Sequence, residues 1–177
     1  MTGILRFIGI LNAAIWFGAA IFFTLGVGPG IFSQNMHKVL GDANFSYYAG
    51  GVALVLIKRY FGLQLICGFI ALLHIFAEWL YLGRKPNRLL LGLLVTLFSL
   101  GLLGDFWLEP KMTALRQTMY ANVAPEQKES ARHSFGLWHG TSQFANLLII
   151  IGVGAYLLRV TRPPEAGRYS NFTKFRS

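Results

Sequence analysis

Four long stretches of this chain contain almost no charged residues, and this feature limits the fold more than any other. They cover residues 4–32, 60–82, 89–108 and 135–158. A helix needs about 20 mostly apolar residues to cross the hydrocarbon of a bilayer, and each stretch reaches that length. Charged residues make up only 13% of the chain and hydrophobic residues 54%. The sequence therefore predicts an integral membrane protein, and it excludes a disordered chain and an ordinary soluble enzyme.

The predicted fold class is all-α, a membrane bundle of four helices. Backbone polar groups find no water in lipid, so they must pair within their own segment, which favours helices. We expect residues 1–160 to form the four-span membrane domain and residues 161–177 to form a basic juxtamembrane tail. The first stretch is too long for the apolar region of a signal peptide, so it is expected to remain as the first span.

The distribution of Lys and Arg predicts the orientation. The loop Arg84-Lys85-Pro86-Asn87-Arg88 concentrates three cations between spans two and three. With four spans, both termini lie on the side of this loop, and positive loops favour the cytoplasm. The N and C termini are therefore predicted to be cytoplasmic, in a plasma (inner) membrane. The basic tail is expected to attract anionic lipids rather than nucleic acid.

The two loops on the opposite, outer side are longer. Residues 33–57 are rich in Gly, Ser, Asn and Tyr, and residues 109–133 read as two short helices that meet at Pro125. In the first of these helices, an apolar stripe at helical spacing predicts a helix lying on the bilayer surface. The stripe consists of Met112, Leu115 and Met119.

Span two carries a stripe of polar residues on one helix face: Gln64, Cys67, His74 and Glu78. Lipid cannot satisfy such a stripe, so it must face the bundle interior or a partner subunit. His74 and Glu78 are one turn apart, and their pairing would fix the tautomer of the imidazole. The stripe is interpreted either as hydrogen bonding between helices or as a proton relay or ligand site.

A second stripe lies on span four, where His139, Ser142 and Gln143 share one face with Asn146. Asp105 lies near the outer end of span three, at a similar depth, so we expect it to meet His139. These residues form a candidate outer-side site. The alternative is hydrogen bonding between helices.

The chain also offers candidate metal ligands on the outer side: His139, His37 and His133, with Asp105. Imidazole and carboxylate suit zinc, copper, iron or nickel, and haem is a further option. The spacing matches no known ligand signature. Because His74 and His139 differ in depth, a haem between these two is disfavoured. A nucleophile–base–acid set is not apparent, so an enzyme is not expected.

Several short motifs together resemble the transmembrane-protein-205-like family of four-helix membrane proteins, whose biochemical role is unassigned. The motifs are Trp16-Phe17-Gly18, Gly28-Pro29-Gly30-Ile31-Phe32, Arg59-Tyr60-Phe61, Pro110, Leu115-Arg116 and Phe135-Gly136-Leu137-Trp138-His139-Gly140-Thr141-Ser142. Gly28 departs from the alanine that the family tends to place before the proline. The resemblance implies that Pro29, Arg116, His139 and Ser142 belong to one outer-side region.

These observations predict a small membrane protein with an outer-side polar site for a metal ion, haem or small solute. An accessory or structural subunit of a larger membrane complex is the alternative. A transporter is a third hypothesis, which four spans and the lack of a clear inverted repeat make less favoured.

Overall fold

The structure is a computed structural model, and it describes residues 2–83 and 85–162. All regular elements of the described residues are helices, so the predicted all-α fold class is confirmed. Four continuous segments are long and apolar enough to cross a membrane. They are Gly3–Ile31, Phe45–Leu82, Arg88–Tyr120 and Pro125–Thr161.

The described residues form seven α-helices and two π-helical turns, and all of these except the short helix Gln34–Leu40 belong to the four segments. The α-helices are α1 (Thr2–Phe22), α2 (Gly28–Ile31), α3 (Gln34–Leu40), α4 (Phe45–Leu82), α5 (Arg88–Leu103), α6 (Glu109–Tyr120) and α7 (Pro125–Thr161). The first π turn (Phe23–Val27) joins α1 to α2, and the second (Gly104–Leu108) joins α5 to α6 without a break.

Local chemistry sets several helix ends. The Ser33 side chain accepts a hydrogen bond from the Met36 amide at the start of α3. Asn87 caps α5 in the same way through the Leu89 amide. Pro125 occupies the first turn of α7, where its missing N–H costs nothing. The turn at Gly83, which adopts a positive φ of 61°, ends α4 at the inner side.

Two of the long helices extend well beyond the hydrocarbon. Helix α4 has 38 residues and α7 has 37. At 1.5 Å per residue each is about 55 Å long, against roughly 30 Å of hydrocarbon. Their outer ends pack with α6 into a layer that we call the outer cap (residues 45–57, 109–120 and 125–134). Residues 33–57 are therefore largely helical rather than a loop.

The apolar stripe on α6 faces this cap and not the bilayer surface. Met112 is buried, and α6 packs mainly against α7. The prediction of a surface-lying helix is therefore wrong. The stripe covers the side of α7, because the two helices are antiparallel neighbours joined by a short connection.

The core of the bundle lies at the level of Trp16, where all four spans meet. Trp16 and Tyr156 are fully buried among small and aliphatic side chains. At the inner end, the Arg6 guanidinium donates to the Thr161 carbonyl over 3.1 Å, which holds the start of α1 beside the end of α7. Most of the predicted basic tail, and Arg84 of the inner loop, lie outside the described residues.

Candidate functional site

Three polar side chains from three helices form one hydrogen-bonded chain in the outer half of the bundle. The Tyr60 hydroxyl on α4 donates to Asn146 Oδ1 on α7 over 2.9 Å. Asn146 Nδ2 donates to Thr24 Oγ1 over 2.7 Å, and the Thr24 hydroxyl donates to the Ala20 carbonyl over 2.8 Å. We call Tyr60, Asn146 and Thr24 the outer network. It links α1, α4 and α7.

Both π turns lie against this network. The first contains Thr24, and its Phe23 ring stacks on Tyr60 with centroids 4.3 Å apart and planes 1° from parallel. The second faces Phe61, the next residue of α4, so closely that a Cβ at Gly104 would overlap the phenyl ring. A π turn inserts one residue into a helix and occurs often at functional sites. Because two π turns meet at Tyr60 and Phe61, this region is a candidate functional site.

An ion cluster lies just outside the network. Lys58 Nζ is 2.8 Å from Asp105 Oδ1 and 4.0 Å from Glu109 Oε2. The Thr113 hydroxyl donates to Glu109 Oε1 over 3.0 Å. The side chain of Asp105 is 12% exposed, whereas that of Lys58 is 53% exposed. The cluster therefore reaches from the outer surface towards the outer network.

Gln64 lies one turn below Tyr60 on the same face of α4. It is 2% exposed, and its amide approaches the Tyr60 hydroxyl but makes no hydrogen bond of ordinary geometry in the described part of the chain. A buried polar group without a partner costs about 1–3 kcal/mol. The free amide therefore favours an occupant that accepts one hydrogen bond and donates another.

The structure does not bring His139 to Asp105. His139 and Gln143 lie on an exposed face of α7, where Gln143 Nε2 donates to His139 Nε2 over 3.0 Å. The Ser142 hydroxyl donates to the His139 carbonyl over 2.7 Å, within the same helix. Asp105 pairs instead with Lys58. Of the predicted span-four stripe, Asn146 is the member that reaches the bundle interior.

Arg116 lies in the outer cap, apart from both groups. It donates to the Tyr47 carbonyl, and its guanidinium carbon is 5.1 Å from the Tyr47 ring and 5.5 Å from the Tyr120 ring. The arginine thus ties α6 to the first turn of α4. Eleven residues separate it from Asp105 along the chain, roughly 16 Å of helix.

The candidate metal ligands are also separate. His37 Nδ1 pairs with Asp42 Oδ1 over 2.7 Å beside the short helix α3, and His133 is exposed on α7. Within residues 2–83 and 85–162, no three His, Cys, Asp or Glu side chains gather closely enough to hold a metal ion. The metal site stays a prediction from sequence.

The span-two stripe does face the interior. Gln64, Cys67 and His74 are buried, and Glu78 is half-buried at the inner end. His74 Nε2 lies 2.9 Å from the Leu5 carbonyl. A carbonyl can only accept, so Nε2 carries the hydrogen, and Leu5 rather than Glu78 fixes the tautomer.

Sequence reasoning missed part of the outer site. The candidate sites predicted from sequence include Asn146 but not its partners Thr24 and Tyr60. A hydroxyl one turn from Gln64 on a polar helix face was the available signal. The predicted spans begin at residue 60 and end at residue 108, so Lys58 and Glu109 fell outside them and their pairing with Asp105 was missed.

The four membrane-length helices and the polar groups enclosed between them define a small, lipid-embedded integral membrane protein of the helical-bundle class. A family described as "Domain of unknown function (DUF4149)" matches residues 11–121, which is more than half of the 177 residues, and the chain belongs to that family. The matched region runs from α1 to just past the end of α6. No curated protein and no solved structure matches the chain.

Proposed function

We propose that this protein binds a small polar solute in the outer half of its bundle, between the Gln64 amide and the outer network. The observation that carries the proposal is the Gln64 side chain, which is 2% exposed and, apart from a close approach to the Tyr60 hydroxyl, has no hydrogen-bond partner within the described structure. An amide offers one acceptor and two donors, so it suits a neutral solute with a carbonyl, amide or hydroxyl group.

The neighbouring groups support a neutral solute rather than a metal ion or haem. The outer network supplies a phenol, an amide and a hydroxyl, which are hydrogen-bonding groups and poor ligands for transition metals. The candidate imidazoles lie elsewhere, on exposed surfaces. The resemblance to the transmembrane-protein-205-like family remains a prediction, and it specifies no solute.

The ion cluster provides a polar entrance. Lys58 precedes Tyr60 by two residues on α4, and its ammonium is half exposed while Asp105 is largely buried. A solute arriving from the outer side would replace its hydrating water with contacts to these charged groups before it reaches the outer network. The two π turns flank this route, because Asp105 belongs to one and Thr24 to the other.

The experiment is a binding screen on the protein in lipid nanodiscs. The probes are acetamide, urea, glycerol and glycine, and binding is detected by saturation-transfer NMR. We expect at least one probe to bind the wild-type protein and to lose binding in Gln64→Leu. Gln143→Leu is the matched control, since Gln143 is exposed on α7, and binding should persist there.

Failure of all four probes to bind the wild-type protein would contradict the proposal. Equal binding to wild type and Gln64→Leu would contradict it as well. Elemental analysis and a visible spectrum of the same preparation test the metal and haem alternative directly: a stoichiometric metal or a Soret band would replace the solute with that group.

A second candidate function, an accessory subunit of a membrane complex, is favoured by one separate observation. His139 and Gln143 are exposed on the outside of the bundle, and Gln143 lies about one turn deeper in the predicted span. Gly136 and Gly140 share this helix, and no side chain or neighbouring helix among residues 2–83 and 85–162 lies within 4 Å of where their side chains would begin. Polar and small residues on a lipid-facing surface are typical of helix–helix contacts.

Native mass spectrometry of particles extracted from the source membrane tests this second function. We expect a partner at fixed stoichiometry, and we expect Gly140→Leu, which fills the face with a bulky side chain, to release it. Ile151→Leu, an exposed apolar exchange elsewhere on α7, is the control. A lone protein in the wild-type sample would contradict the accessory role.

A further inference from the structure

Several polar atoms are buried in the bundle interior without a hydrogen-bond partner in the described residues, and Gln64 is one of a series. The others are Trp16 Nε1, His74 Nδ1 and the Tyr156 hydroxyl. Their residues are at most 7% exposed, and Tyr156 is completely buried. Leaving each of these groups without a partner would cost about 1–3 kcal/mol. Buried polar atoms of this kind are normally satisfied by internal water.

These atoms follow one another through the depth of the membrane. Gln64 and His74 lie on one face of α4, ten residues apart, or roughly 15 Å along the helix. Trp16 lies between them in depth, against Gly68 of α4. The Tyr156 ring is 6.5 Å from the Trp16 ring, at an angle of 66°. The series thus spans the central part of the bundle.

The apolar residues of α4 along this line are small. Cys67, Gly68 and Ala71 separate Gln64 from His74, and Ala13 of α1 is buried in the same core. Small side chains let α1 approach α4 closely, and Trp16 and Phe98 pack beside Gly68. A bulky Leu or Phe in these positions would push apart the helices and the polar atoms that they carry.

His74 presents a hydrogen-bond acceptor to the bundle interior. Its Nε2 is committed as a donor to the Leu5 carbonyl, so in the neutral ring Nδ1 carries a free lone pair. Gly9 of α1 holds the ring in place, because a Cβ there would come within 2.6 Å of His74 Nε2. The ring is therefore held in one orientation, with its basic nitrogen buried.

Acids lie at both ends of the series. Asp105 stands above the outer network at the outer end. Glu78 stands one turn below His74 at the inner end. Carboxylates can exchange protons with bulk water, so each can serve as a terminal for proton transfer.

We propose that the bundle interior holds a chain of water molecules between Asp105 and Glu78 and that this chain conducts protons across the membrane. A proton enters at one carboxylate and is passed from water to water by exchange of hydrogen bonds. The polar atoms of Gln64, Trp16, Tyr156 and His74 hold the waters in place. Each position in such a chain needs room for one water molecule and polar atoms to hold it. This function goes beyond the binding of a solute.

The test is proton flux into vesicles that contain the purified protein and a trapped pH-sensitive dye. Potassium efflux through valinomycin sets the driving potential and balances the charge. We expect wild-type vesicles to change internal pH faster than protein-free vesicles. His74→Phe and Gln64→Leu should lose most of this extra flux, because each removes a group that holds water. His139→Phe, which changes an exposed imidazole, is the matched control and should retain it.

Flux equal to that of protein-free vesicles would overturn the proposal, as would undiminished flux in both interior variants. A second measurement does not depend on the variants folding. In wild-type protein in nanodiscs, the Trp16 indole N–H should show a magnetisation-transfer cross-peak to water by NMR. A Trp16 signal that shows no contact with water would exclude the chain.

Discussion

The outer and inner halves of the bundle satisfy their polar groups in different ways. In the outer half, side chains bond mainly to one another, from Tyr60 to Asn146 to Thr24. In the inner half, side chains bond to backbone carbonyls, as Asn12 does to Cys67 over 2.9 Å. The outer helices contain π turns, whereas α1 and α4 are regular around the inner groups.

This difference has an energetic consequence. Side chains that share a network depend on each other's position, so substitutions there are expected to interact. A side chain that bonds to the backbone of a regular helix depends only on that helix. We therefore expect the outer half to respond to substitution as a unit and the inner half residue by residue.

The largest expected effect tests the close contact in the inner half. Gly9→Ala would place a Cβ within 2.6 Å of the His74 ring and push it away from the Leu5 carbonyl. We expect a loss of about 2–3 kcal/mol in the free energy of unfolding, from overpacking and a broken buried hydrogen bond. Unfolding in mixed micelles, followed by circular dichroism, measures it.

Gly18→Ala on the same helix is the control, since nothing lies within 4 Å of a Cβ at that position. It should be neutral or stabilising, because alanine favours a helix over glycine. Equal stability of the two variants would show that the His74 ring is free to move. It would also contradict the expectation that each inner side chain is held by its own contact with a neighbouring helix.

The next effect tests the comparison itself through a double-mutant cycle. Tyr60→Phe and Asn146→Leu each break the outer network, so their combined cost should fall short of the sum by about 1 kcal/mol. Tyr60→Phe and Asn12→Leu affect separate halves, and their costs should add to within about 0.5 kcal/mol. The same unfolding measurement serves both cycles. Additive costs in the outer pair would remove the distinction between the halves.

The smallest effect is expected in the outer cap. Arg116→Lys keeps the charge but loses the planar group that lies beside Tyr47 and Tyr120. We expect a loss of about 0.5–1 kcal/mol, the usual range for an exposed cation–π contact. Arg132→Lys is the control, because its pairing with Glu129 is fully on the surface. If both substitutions have the same effect, the aromatic contacts of Arg116 do not stabilise the cap.

The fold could be predicted from sequence because a bilayer excludes charge over a whole span, and that exclusion is visible in the composition. The ends of the helices could not be predicted in this way. Residues 45–59 contain two glycines, one serine and two tyrosines, yet they continue α4, which packs against α3 and α6 on the outer side. Contacts with distant segments decided the outcome there, and no local pattern records them.

The candidate site was predicted in part for a related reason. A polar stripe identifies one face of a helix but not the direction in which that face points. The α4 stripe points inward at Gln64 and His74, whereas on α7 only Asn146 reaches the interior and His139 stays outside. Asp105 was paired with the wrong residue because the predicted second span begins at residue 60, which leaves out Lys58, whereas α4 begins at Phe45.

The contact between Arg6 and the Thr161 carbonyl has a consequence for biosynthesis. It joins α1 to α7, which is synthesised later, and α1 also packs along α7. Trp16, which is fully buried in the finished bundle, must therefore wait in the lipid until α7 has been inserted. In a chain truncated before α7, the Trp16 side chain would stay exposed to lipid. Quality-control proteases could then recognise the incomplete bundle by that exposed side chain.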